Sequence, residues 1–183
     1  MNIGKTLYVQ DRRAWRAWLK KNHRKEKDIW LIYYAKLSGK KRIPYNDAVE
    51  EALCYGWIDS TVKSVDKESF AQRFTPRKSR AVSELNKERI RKLIGQKKMT
   101  SFGLTAVNFN PDESFAIAKD ILAALKKNHA AWKHFQNFPD SYKRVRIGYL
   151  EGQRKHSKVA FQKSLAYFLK MTEKNKRFGF LRE

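Results

Sequence analysis

The chain has 183 residues, 42% of them hydrophobic, and its 41 Lys and Arg against 18 Asp and Glu leave a net charge of +23. That hydrophobic content supports a packed core, and the sparse Gly and Pro with no period of 20 to 50 residues argue against disorder and against a solenoid. Cys54 is the single cysteine, which excludes an intrachain disulfide.

Asp11 is placed to cap a helix that puts Trp15, Trp18 and Leu19 on one face and Arg12, Arg13, Arg16 and Lys20 on the other. After the polar stretch from His23 to Asp28, the run Ile29 to Tyr34 is short, β-branched and aromatic, which predicts a buried strand. Pro44 suits a helix entrance. Ala48, Val49, Ala52 and Leu53 recur at helical spacing until Gly56, so a helix is expected from about Asn46 to Tyr55. Cys54 falls in that apolar pattern, as a small core residue does. The period then changes to two. Trp57 to Lys63 and Phe70 to Thr75 read as a hairpin that turns at Asp66-Lys67 and closes at Pro76.

From Ser83 the pattern is helical to Gly95, with Leu85, Ile90, Leu93 and Ile94 inward, and a short helix is expected within Met99 to Asn108. Beyond Asn110-Pro111 the expected helices are Phe115 to Lys127, His129 to Asn137, Ser141 to Leu150 and His156 to Lys174. Strands come first and helices last. The fold class is therefore α+β: a small antiparallel or mixed sheet with packed helices over residues 1–110, then a helical region over 111–183.

The hairpin gathers the chemistry. An even turn sets Asp59 opposite Phe74 and Lys63 opposite Phe70, whereas a three-residue loop brings Arg73 beside Thr61 and Asp59. In either register the ribbon carries Asp59, Lys63 and Arg73, with Arg77 and Lys78 just past its end and Asn86 on the helix that follows. Arg offers a planar fork to a carboxylate or phosphate and Lys a point charge, so these six residues form a candidate anion site. A surface ion pair of Asp59 with one of these cations, and an acid/base role for Asp59, are the competing readings. Glu50 and Glu51 are adjacent in sequence and make no glycosidase-type carboxylate pair. His23, His129, His134 and His156 are scattered. No metal site, cofactor site or nucleotide fingerprint is expected.

The charge makes an anionic small molecule or an acidic protein a plausible partner. Nucleic acid is a further alternative, although the chain has no zinc-finger spacing, RNP aromatics or basic zipper region. No segment approaches the roughly 18 apolar residues of a membrane span, nor does the N-terminus read as a signal peptide. A cytoplasmic protein without membrane insertion is the expectation.

The stretch Tyr45-Asn46-Asp47-Ala48-Val49-Glu50-Glu51-Ala52-Leu53-Cys54-Tyr55-Gly56-Trp57-Ile58-Asp59-Ser60, followed by Lys63, Asp66, Arg73-Phe74-Thr75-Pro76-Arg77-Lys78, Ser83 and Asn86, resembles the YdeI/OmpD-associated (bacteriocin-protection, OmdA) family. The resemblance extends from Trp15, Trp18 and Leu19 through Asp28 to Leu31, and to Ala131–Phe138 and Ser141–Arg144 in an OmdA-like helical module. Val82 stands where that family usually has a tryptophan. The resemblance implies a role in tolerance of antimicrobial peptides and no established reaction. The resemblance and the hairpin cluster together lead to the expectation of a non-enzymatic stress-tolerance protein, the tolerance role implied by the family and the binding of an anionic ligand or acidic partner by the cluster. A nucleic-acid binder and an enzyme on an anionic metabolite using Asp59 stand as the alternatives.

Overall fold

The computed structural model of the protein describes residues 2–111 and 113–179. Its chain divides into two compact units: residues 1–82 with 89–109, and residues 83–88 with 110–183. The fold is α+β.

In the first unit, β1 (Thr6–Leu7), β2 (Ile29–Tyr34), β3 (Trp57–Ser64) and β4 (Ser69–Pro76) form a mixed sheet in the order β1-β2-β4-β3. The pair β1–β2 is parallel, and β2–β4 and β3–β4 are antiparallel. β2 is apolar without a break, the pattern of a strand covered on both faces, whereas β4 carries Gln72 and Arg73 among its apolar residues. The two-residue β1 is too short to leave a periodic signal in the sequence.

Helices α1 (Arg12–Asn22) and α2 (Tyr45–Cys54) supply one wall of the core. Asp11 caps α1 as expected, its carboxylate accepting from the Ala14 N–H at 2.9 Å. Trp15 and Leu19 of α1 and Ala48, Val49, Ala52 and Leu53 of α2 are buried with Ile29, Leu31, Tyr33, Trp57 and Phe74 of the sheet. Trp15 anchors the two helices, because its indole N–H donates to the Ala48 carbonyl at 3.0 Å. After α2 the backbone turns at Gly56 with φ +70°, the left-handed conformation that glycine adopts without strain. Helix α3 (Glu84–Gly95) contributes Ile90 and Leu93 to the buried set, and α4 (Ser101–Thr105) is the short helix expected after Met99.

The hairpin contains both registers that the sequence left open. Next to its tip, Val65 N–H donates to the Ser69 carbonyl across a three-residue loop, which sets Lys63 opposite Ala71. A bulge between Asp59 and Val62 then adds one residue to β3 and restores Asp59 to Phe74.

The second unit holds α5 (Lys119–Lys127), α6 (His129–Asn137), α7 (Asp140–His156) and α8 (Lys158–Glu173). Side-chain oxygens of Asn128 and Ser157 cap α6 and α8. Ile121, Leu125, Phe135, Tyr142, Ile147, Leu150, Phe161 and Phe168 form its core. Two helices differ from expectation. The segment 115–118 is not helical, and Phe115 and Ile117 pack on the core from extended chain. Helix α7 continues beyond Leu150 to His156, through Gly152, where Arg154 binds Glu151 one turn earlier.

Candidate functional site

The bulge decides which hairpin side chains share a face. Residues directly opposite one another in a ladder point to the same side. Asp59, opposite Phe74, therefore lies on the face covered by α1 and α2. Lys63, opposite Ala71, lies on the other face with Arg73, which is opposite Trp30. Arg73 uses its fork there: Nε and Nη2 donate to Asp28 Oδ2 at 2.9 and 2.5 Å. Lys78 is exposed, and Asn86 belongs to the second unit, where its backbone N–H donates to Ser83 Oγ. Of the six candidate residues, the first unit brings Asp59 and Arg77 together.

Other residues complete their surroundings. Tyr45, the first residue of α2, reaches across to β3 and donates its hydroxyl to Asp59 Oδ2 at 2.6 Å. Arg77 is fixed at the end of β4 by its N–H to the Gly56 carbonyl at 2.9 Å, and Nη2 donates to the Ala81 carbonyl at 2.5 Å. Arg89 of α3 donates to Asn46 Oδ1 at 2.8 Å. Burial holds the Arg77 and Arg89 guanidinium groups below their ordinary pKa, against the attraction of Asp59 for both and of Tyr45 and Glu50 for Arg89.

Two polar groups of this cluster are buried yet hydrogen-bond to nothing among the described residues: the Tyr33 hydroxyl, and Nε and Nη1 of Arg77. Burial drives the Tyr33 phenol well above its ordinary pKa, with Tyr45 and Asp59 adding and Arg42 opposing. Burial also pushes Tyr45 up, to about 12, helped by its hydrogen bond to Asp59. Both phenols are thus neutral donors at physiological pH. Sequence reasoning took Tyr33 as a strand residue and named Tyr45 only at the head of the family-like stretch, assigning neither to the site. The signal for Tyr45 was its place beside Pro44, at a helix entrance that packs over the adjoining strand.

Behind the cluster lies a charged network. Glu51, nearly buried, pairs with Arg12 at 2.8 Å and Arg16 at 2.7 Å, and Arg12 also meets Glu50 at 3.0 Å and Asp47 at 3.2 Å. Burial works against the charge on both arginines, but their bonds to Glu51 outweigh it and raise their pKa. The partners of Glu50 and Glu51 are therefore on α1, and Lys92 of α3 lies 3.5 Å from Glu50. Cys54 lies in the same interior, where burial pushes its thiol up to about 11, the environment of an inert core cysteine.

Among the described residues no group of His, Cys, Asp and Glu is arranged to hold a metal, and no helix is long and apolar enough to cross a membrane. No curated protein and no solved structure matches the chain. Two family models do. One, described as Domain of unknown function (DUF8412), spans residues 7–106; the other, OmdA, described as Bacteriocin-protection, YdeI or OmpD-Associated, spans residues 114–175. The OmdA match thus falls on the C-terminal helices, while the Tyr45–Asn86 stretch lies in the region of the first model. The chain belongs to the DUF8412 family over its sheet-bearing half and carries a YdeI/OmpD-associated OmdA domain after it.

Proposed function

We propose that the first unit is a non-enzymatic receptor for an anionic ligand or acidic partner, and that the protein serves stress or antimicrobial-peptide tolerance in the cytoplasm. The observation that carries this reading is Arg77, whose Nε and Nη1 are buried without a hydrogen-bond partner while Asp59 stands in electrostatic reach. A buried donor left without an acceptor costs about 1–3 kcal/mol, so an incoming oxygen that accepts its hydrogen bond recovers stability. Tyr33 adds a second idle donor. Around the Tyr45–Asp59 pair stand the guanidinium groups of Arg77 and Arg89, with Asp59 acting on both and Glu50 on Arg89 as well, so the charge that draws an anion is concentrated at Arg77. Carboxylate and phosphate match the planar fork of arginine. A chain of net charge +23 repels a cationic peptide, which favours tolerance through an anionic intermediary over direct capture.

Thermal unfolding of the full chain in inorganic phosphate, citrate and a polyglutamate peptide, at constant ionic strength, tests the reading. At least one probe should raise the midpoint, and Arg77→Ala should abolish the rise. Unmoved midpoints with all three, or an Arg77→Ala variant that responds like the parent, would sink it. The dispersed basic surface also suits nucleic acid. That reading predicts duplex binding that falls steeply with salt and is indifferent to Arg77→Ala.

A further inference from the structure

Arg146 of α7 has only 9% of its surface exposed. Arginine is rarely so buried unless an acid accompanies it. Arg144 and Arg154 of the same helix, both more exposed, are nonetheless paired with acids. Arg144 forks onto Glu88 through Nε at 2.5 Å and Nη2 at 3.1 Å, and Arg154 binds Asp120 and Glu151. Arg146 has no ion pair or hydrogen bond among the described residues, and its Nε is fully enclosed without a partner.

Aromatic rings surround it instead. Its guanidinium carbon lies 4.1 Å from the centre of the Phe178 ring and 4.8 Å from that of Tyr149. Ring faces attract the cation but accept none of its five N–H groups, which point outward in the guanidinium plane. Tyr142, Arg146 and Tyr149 stand four and three residues apart on α7, and so line one stripe of the helix. Tyr167 of α8 closes edge-on against Phe178 at 5.0 Å. Gly179, at φ +97°, sits so close that a Cβ there would come within 2.7 Å of Nη1. Burial depresses the Arg146 pKa, and the groups that oppose the shift are Tyr142, Tyr149 and Tyr167, with no carboxylate among them.

We propose that Arg146 and the rings of Tyr149, Tyr167 and Phe178 form a receptor for a small organic carboxylate with a flat apolar body. The carboxylate supplies the in-plane acceptor that the guanidinium lacks, and the body lies along tyrosine rings that are 46% and 51% exposed at Tyr149 and Tyr167. The charge of Arg146 balances a monoanion. The other nearby cation, Arg177, acts on Tyr142 and has an interaction of its own. Phosphate, a dianion with no apolar body, fits less well. The site lies within the second unit and is independent of the Asp59 cluster.

Benzoate is a suitable probe, with uncharged benzamide and inorganic phosphate as comparisons, titrated into the full ¹⁵N-labelled chain. Saturable benzoate binding should move the Arg146 Nε–H resonance, with benzamide at least tenfold weaker and phosphate without effect at that resonance. Arg146→Met should weaken benzoate at least tenfold while circular dichroism shows the helices intact. Should that variant unfold, Tyr149→Ala and Tyr167→Ala serve in its place, with a several-fold loss of affinity expected from each. The proposal is overturned by an absence of saturable benzoate binding, by equal binding of benzamide, by phosphate as the preferred ligand, or by folded variants that bind like the parent.

Discussion

The Tyr45 hydroxyl donates to Asp59 at 2.6 Å and so fastens the first turn of α2 to the inner end of β3. Tyr45→Phe removes this bond and leaves the ring in place. The expected cost is about 1.5 kcal/mol, the low end for a hydrogen bond to a charged acceptor, because the ring is half exposed. Urea unfolding of parent and variant at pH 7 measures it.

The same pair gives the protein an alkaline signature. The Tyr45 pKa is raised from 10.0 to about 12, first by burial and then by Asp59. The native state thus holds the phenolic proton more tightly than the unfolded chain. The resulting stability is fully present below pH 10 and is lost as pH rises toward 12. In Tyr45→Phe the decline between pH 10 and 12 should be shallower than in the parent. Equal slopes would show that other groups govern alkaline unfolding.

Glu51 is the hinge of the charged network behind the cluster. Its carboxylate is 3% exposed and holds both Arg12 and Arg16. Removing one partner of a buried pair costs about 3–5 kcal/mol, and the partial exposure of the two arginines places Glu51→Ala near about 3 kcal/mol. Glu51→Gln keeps the shape and some hydrogen bonding, and should cost less. Denaturant midpoints of the two variants should separate in that order.

Gly56→Ala combines two penalties. Its φ of +70° disfavours any side chain, and a Cβ there would stand 2.6 Å from that of Ala106. A left-handed residue costs about 1–2 kcal/mol and overpacking about 1–3 kcal/mol, so a loss of about 2–5 kcal/mol is expected by calorimetry. Because Arg77 hangs from the Gly56 carbonyl, the response to anionic probes should weaken along with stability.

Arg73 and Arg77 should behave differently although only three residues lie between them. Arg73 is on the far face with Asp28, and Arg77 is within electrostatic reach of Asp59. In the anion titrations Arg73→Ala should retain the parent response that Arg77→Ala loses. The reverse result would place the ligand on the opposite face of the sheet.

Much of this architecture is legible in the sequence, because it depends on periodicity and on local breakers. Ile29–Tyr34, the helix after Pro44, the hairpin and the Asp11 cap all declare themselves by pattern. Asp59 and Arg77 could be named for the same reason. The bulge could not, since Ser60 and Thr61 are ordinary strand residues and the extra position is set by the ladder. Nor could the pairing of β2 with β4, a contact between distant segments. The roles of Tyr33 and Arg89 follow from that pairing and from the course of α3, and so were hidden with it. Arg146 was invisible for another reason: in a chain with 41 basic residues, only its burial sets it apart.

The hairpin closes with an odd loop at its tip and one surplus residue in β3, and these two irregularities cancel. Deleting Thr61 would leave a continuous ladder with the same tip, with Asp59 still opposite Phe74 and Lys63 still opposite Ala71. The outer half of the hairpin can therefore be rephased by single-residue changes while the inner half stays anchored. Length variation at the tip becomes a means of deciding whether Lys63 faces toward Asp59 or away from it, and so of retuning the charge around one carboxylate without altering any residue that touches it.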